Sequence, residues 1–167
     1  MKSIKKFIIL IISLIIVGAI ASKVIILLES DRLGANERNI YNNEEKIVSE
    51  SDSYSYLRRK LENEKNNMDF EFVEFTGIDT VYNIQSTKEG VIELQYKSEI
   101  LKGKFKILLI TPKNEIITVL SGNSKGNSKI KIESGESKIR IVGYKSTGNF
   151  TMNVISTDDI DIKISEL

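Results

Sequence analysis

From Met68 to the carboxyl end, apolar residues recur at every second position in short runs, and that period admits only strands with one face turned inward. Ile92, Leu94 and Tyr96 alternate with Glu93, Gln95 and Lys97, while Phe150, Met152 and Val154 alternate with Thr151 and Asn153. Phe70 and Phe72 flank Glu71, Ile139 and Ile141 alternate with Lys138 and Arg140, and Ile160, Ile162 and Ile164 alternate with Asp161 and Lys163. Lys104 to Ile110 differs, because Leu108 and Ile110 add a second apolar side to that of Phe105, Ile107 and Leu109; its far end is expected to be buried on both faces. Punctuation comes from Gly77, from Thr111-Pro112-Lys113-Asn114 with its Pro at the favoured turn position, from Ser121–Ser128 read as a polar loop, and from Gly143–Gly148 read as a turn. Roughly eight or nine short antiparallel strands predict a β-sandwich or jelly roll over residues 68–167.

The amino end obeys a different rule. Lys2, Lys5 and Lys6 precede Phe7–Ala21, which only Ser13 interrupts, so the segment is an export signal with its charged end held in the cytoplasm. One reading cleaves it after Ala21, within Ala19-Ile20-Ala21, and releases a protein beginning at Ser22. The other continues the apolar run through Val24–Leu28, with Lys23 close enough to the outer end to snorkel. A helix over residues 7–28 reaches roughly 33 Å, which matches the ~30 Å hydrocarbon core. The apolar residues beyond the cleavage position favour the second reading: a single-pass cell-membrane protein anchored through Phe7 to Leu28, with a cytoplasmic amino terminus and an extracytoplasmic remainder. No Cys follows, so lipid modification is excluded.

Residues 29–67 are polar and read as a stalk between the anchor (residues 1–28) and the sandwich. Ile40, Ile47, Tyr54, Leu61 and Met68 recur at heptad spacing, but the companion seam is mostly polar, Asn43, Glu50 and Glu64 with Leu57 its only apolar occupant, which argues for a solvated helix over about 43–66 rather than a coiled coil. Ser51-Asp52-Ser53 is a weak point within it.

Gly135–Gly143 followed by Gly148–Val154, together with Gly103–Val119, resembles the closing hairpins of bacterial pre-peptidase C-terminal domains. The whole chain resembles the small membrane-anchored surface proteins of low-GC Gram-positive bacteria. Those resemblances imply an exported, non-catalytic β-sandwich.

The chain has no His, Cys or Trp, which removes imidazole bases, thiol nucleophiles, disulfides and the usual zinc ligands. With 24 basic and 23 acidic residues it has no basic surplus for nucleic acid, and removing lysines 2, 5, 6 and 23 with the anchor leaves the remainder net acidic. Asp158, Asp159 and Asp161, with Glu166, are the candidate calcium ligands, but Asp159 and Asp161 read better as the solvent side of a strand. Tyr82, Tyr96 and Tyr144 are candidates for a stacking surface, although Tyr96 shares a face with Ile92 and Leu94. Gly122–Gly126 lacks the ending of a phosphate loop. The sequence therefore assigns no catalytic, cofactor or metal residue. It predicts an interaction module that meets a protein or cell-wall partner through the segments 121–128 and 143–148 or an exposed edge strand. The rival readings are a carboxylate-only enzyme such as a glycosidase and a self-assembling surface spacer.

Overall fold

The computed structural model describes residues 20–24, 40–64, 66–156 and 160–165. The chain divides into two units, Met1–Arg38 and Asn39–Leu167. In the first, Ile20 to Val24 are helical, and the rest of the expected span Phe7–Leu28 lies outside the described residues. Among the described residues no helix is long and apolar enough to cross a membrane.

Among the described residues the second unit contains a short helix, α1 (Glu44–Val48), preceded by a helical turn at 40–42, and eight strands: β1 (Ser53–Ser55), β2 (Arg58–Glu64), β3 (Asn67–Ser86), β4 (Gly90–Ile110), β5 (Ile116–Ser121), β6 (Ser124–Ile132), β7 (Gly135–Ser156) and β8 (Ile160–Ile164). All pairings are antiparallel. The long strands β3, β7 and β4 run side by side with β7 in the middle. Toward one end they are flanked by β2 and β6, giving β2-β3-β7-β4-β6; toward the other, β1 and β8 flank β3 while β5 flanks β4.

All three long strands are creased at one level. Register shifts fall between Phe72 and Gly77 in β3 and between Ile100 and Lys104 in β4, opposite Gly143–Gly148 of β7. Bulges bend and twist strands in this way. Glu74 (φ 53°) and Lys145 (φ 47°) take left-handed conformations there. At Gly143 the ring of Phe75 occupies the place of a side chain, with Cδ1 only 2.3 Å from where a Cβ would be. The creases fold the sheet over, so that its two halves face each other as the layers of a sandwich.

The enclosed face forms one core. Phe72 stacks on Phe105 with ring centroids 5.0 Å apart, and Phe150 lies 5.6 Å from Phe70 and 5.7 Å from Phe105. Around this aromatic centre pack Ile84, Ile92, Leu94, Ile107, Ile139, Ile141 and Val154, all fully buried. Tyr82 ties the layers together: its hydroxyl donates to the carbonyls of Asn66 (3.1 Å) and Met152 (3.2 Å), which belong to the opposite half. The two-sided burial expected of Leu108 and Ile110 is also present. They join Ile78 and Val142 on the outer side of the other layer, beneath Ile47 of α1.

Several expectations change. The pairs of strands read on either side of Gly77, of Gly103 and of Gly143–Gly148 are single creased strands, because the glycines admit bulges rather than reversals; the stretch read as a closing hairpin is one strand, β7. The loop 121–128 shrinks to a turn at Gly122-Asn123, and the remainder opens β6. That strand lacks apolar residues at first because Gly126 lies under the Tyr96 ring, which fills its inward side. The helix expected over about 43–66 is confined to α1. The Asn43 side chain caps its start by accepting from the Lys46 N–H at 3.0 Å, and the Ser49 hydroxyl donates back to the Lys46 carbonyl at 2.7 Å to close its end. Beyond it, residues read as stalk complete the sheet as β1 and β2, since Tyr56 stacks on Phe75 at 4.6 Å and Leu61 packs against the core.

Candidate functional site

Two groups of polar side chains stand out, one sealed and one open. The sealed group surrounds Arg140, read from the alternation as solvent-facing but 1% exposed. α1 and the segment after it cover this face of β7. The guanidinium donates to Thr80 Oγ1 (3.0 Å) and to the Ile47 carbonyl (2.6 Å), and pairs with Asp52 at 3.3 Å. Asp52 in turn accepts from the Thr80 N–H (3.1 Å) and hydroxyl (2.8 Å). Beside it Asp79 is equally buried, accepts from the Tyr56 hydroxyl at 2.6 Å and has Arg59 at 3.9 Å. Burial pushes the Asp79 carboxyl up to about 6, the Tyr56 hydrogen bond and the two arginines work against that, and the Asp52 charge adds to it. Burial and the Asp79 carboxylate push the Tyr56 hydroxyl upward as well.

Two acids and a raised carboxyl are what a carboxylate enzyme would need. Here neither Asp52 nor Asp79 lines any of five hollows on the described surface. Their oxygens are engaged by Thr80, Arg140 and Tyr56. What this arrangement does chemically is clasp residues 47–59 to the sheet.

The open group lies on the outward side of β2-β3-β7-β4-β6. Asn67, Asn153, Gln95 and Asn127 stand directly opposite one another on four neighbouring strands, and so share one face. Asn67, Gln95 and Asn153 line a shallow hollow of about 370 Å³ with Lys97, Lys125 and Thr151. Asn67 and Asn153 also line an adjoining hollow of about 390 Å³ that includes Ile155. Charges on this face pair among themselves: Lys97–Glu99 at 2.6 Å, Lys60–Glu62 at 2.7 Å and Lys129–Glu93 at 3.9 Å. Glu93 accepts from Asn127 (2.7 Å) and Gln95 (3.2 Å), which holds its carboxyl below the usual range.

A third hollow, of about 450 Å³, opens between the edges of β5 and β6 over Val91, Ile117 and Ile132. Glu89, Glu115 and Glu133 rim it; Lys113 binds Glu133 at 2.8 Å, and that bond with the nearby acids raises the lysine above its ordinary value.

The residues singled out in the sequence are dispersed. Tyr82 is core, Tyr96 is half-buried over Gly126, and Tyr144 lies at the crease of β7. Asp161 is exposed on β8 and pairs with Lys163 at 3.2 Å; Asp158, Asp159 and Glu166 lie outside the described residues. Among the described residues no three acids are placed to hold a metal ion. The segment 143–148 runs through the middle of the sheet, not around a tip. Asp52, Tyr56, Asp79 and Arg140 escaped the sequence reading, although Arg140 was signalled by Val142: an apolar residue on the same side of β7 marks a covered face.

No family model matches the sequence, and no curated protein matches it. Several solved structures are similar at low identity. They include an exo-β-1,3-galactanase from Phanerochaete chrysosporium, at 13% identity and TM-score 0.36 over 63% of this chain and 29% of that one. A family 29 carbohydrate-binding module is similar at 14% identity and TM-score 0.36, over 67% of this chain and 77% of the module. Tailspike protein 4 of bacteriophage CBA120 is similar at 5% identity and TM-score 0.37, over 73% of this chain and 20% of that one. This chain thus spans less than a third of the galactanase.

Proposed function

We propose that this protein is a non-catalytic binding module on the outer side of a cell membrane, held there by Phe7–Leu28, whose β-sandwich meets a protein or cell-wall component. The observation that carries the reading is the contrast between the two polar groups. Of the two acids, Asp79 is buried against the sheet beneath Tyr56 and Asp52 is held by Thr80 and Arg140, whereas a five-stranded polar face lies open. A rigid layer presenting exposed side chains in fixed register suits recognition without chemistry. The location rests on the lysines and apolar run of the amino end.

Fractionation of cells, with mass spectrometry of the mature amino terminus and protease treatment of intact cells, tests the reading. The expected product begins at Met1, is found in the membrane, and loses its carboxyl-terminal part to external protease. A product beginning at Ser22 in the medium replaces the anchor by secretion. Full-length protein in the cytosol overturns the proposal. Crosslinking on intact cells then identifies the partner.

A further inference from the structure

We propose that the amide row Asn67–Asn153–Gln95–Asn127 is the binding track for a neutral polyhydroxylated chain, a glycan; this rests on the reading of the sandwich as a contact module. Strands are ~4.8 Å apart, so the four side chains form a line about 14 Å long across the sheet. An amide offers both donors and an acceptor, which suits hydroxyl groups that themselves donate and accept. Glu93 accepts N–H groups of Gln95 and Asn127, which fixes those two amides and leaves their oxygens to accept from a ligand. Asn67 and Asn153 make no side-chain hydrogen bond with the described residues, so the middle of the hollow presents unused polar capacity.

The charges argue for a neutral occupant. Each of Lys60, Lys97 and Lys129 has its own glutamate on this face, which leaves Lys125 at the side of the hollow as a single cation, a weaker selector of ions than a cluster of like charges. Ile155, 43% exposed, lies beside Asn153 in the adjoining hollow and gives an apolar contact for the C–H side of a sugar ring. A polypeptide strand would instead seek the sheet's edges, where backbone groups are unpaired; this hollow lies over the interior strands β7 and β4.

The test is affinity electrophoresis of the full chain in neutral detergent through gels containing β-glucan, mannan or dextran, with sedimentation on peptidoglycan stripped of charged polymers. At least one of these is expected to bind, with little difference between low and high salt. The double variant Gln95→Ala/Asn153→Ala is expected to weaken binding by roughly tenfold or more, and Thr151→Arg, which fills the hollow, to abolish it. Asp161→Ala/Lys163→Ala on β8 should bind as the parent does. Far-UV circular dichroism checks that each variant is folded. Absence of binding to all four probes, binding unaltered in both hollow variants, binding lost on raising salt, or loss of the face through self-association would each overturn the inference. If crosslinking nevertheless finds a surface protein, the contact module stands without the glycan; a cytosolic chain removes the module whatever the gels show.

Discussion

Asp52→Asn tests the clasp around Arg140. The substitution removes the negative charge 3.3 Å from a guanidinium that is 1% exposed, and its single oxygen can replace only one of the two that accept from the Thr80 N–H and hydroxyl. Breaking a buried ion pair costs ~3 to 5 kcal/mol when the remaining charge cannot reach water. Asp79 offsets part of that loss, because with Asp52 neutral its own carboxyl ionises more readily. We therefore expect about 3 kcal/mol for Asp52→Asn, the lower end of that range. Arg140→Met is milder, about 2 kcal/mol, since it leaves Asp52 part-exposed and still hydrogen-bonded by Thr80. The double variant should show a coupling of at least ~1 kcal/mol, because the two residues share one network. With no Trp in the chain, urea unfolding is best followed by far-UV circular dichroism and tyrosine fluorescence on the full chain in detergent. For a domain of this size the Asp52→Asn loss corresponds to a fall in Tm of roughly 10 °C. A loss below ~1 kcal/mol for Asp52→Asn, or additive effects in the double variant, would refute the claim that the buried Arg140 charge depends on Asp52.

Three further outcomes follow from the fold. Asp79, whose carboxyl is raised to about 6, binds a proton more tightly folded than unfolded, so its contribution to stability declines as pH rises from about 4 to above 6 and returns on acidification. Asp79→Asn should flatten that part of the stability–pH curve and raise stability at pH 8, as denaturation at stepped pH will show. Gly143→Ala drives a methyl into Phe75 and should cost ~1 to 3 kcal/mol or more, partly recovered by Phe75→Leu, measured by urea unfolding. Tyr82→Phe removes the hydroxyl that bridges the layers and should cost ~1 to 2 kcal/mol, with hydrogen exchange speeding up first around Asn66 and Met152.

The sandwich was legible because its code is local: Ile92, Leu94 and Tyr96 declare their inner face by spacing alone, and Thr111-Pro112-Lys113-Asn114 declares the β4–β5 turn. The turn geometry agrees, with the Asn114 N–H donating to the Thr111 carbonyl at 2.9 Å. The creases were not legible, because a glycine that lets strands approach and one that reverses the chain look alike. Gly143 is needed for the Phe75 ring, a neighbour 68 positions earlier by the numbering. The polar residues 40–64 misled for a similar reason. β2 is an exposed flanking strand, so only Leu61 of its side chains is markedly buried, and its identity as a strand comes from β3. The amide row was invisible because its members lie on four different strands, and only the pairing register brings them opposite one another.

The central position of β7 also sets the order in which the chain can acquire its shape. β1, β2 and β3 emerge first and pair among themselves, and β4, β5 and β6 then do the same, yet no ladder joins the first trio to the second. Small groups of strands without a shared core have little independent stability. The ribosome must therefore finish Gly135–Ser156 before the phenylalanines of β3 and β4 can meet that of β7, and until then most of the polypeptide waits unfolded. A nascent chain stopped short of that strand is expected to be a substrate for proteases and chaperones rather than a smaller version of the protein.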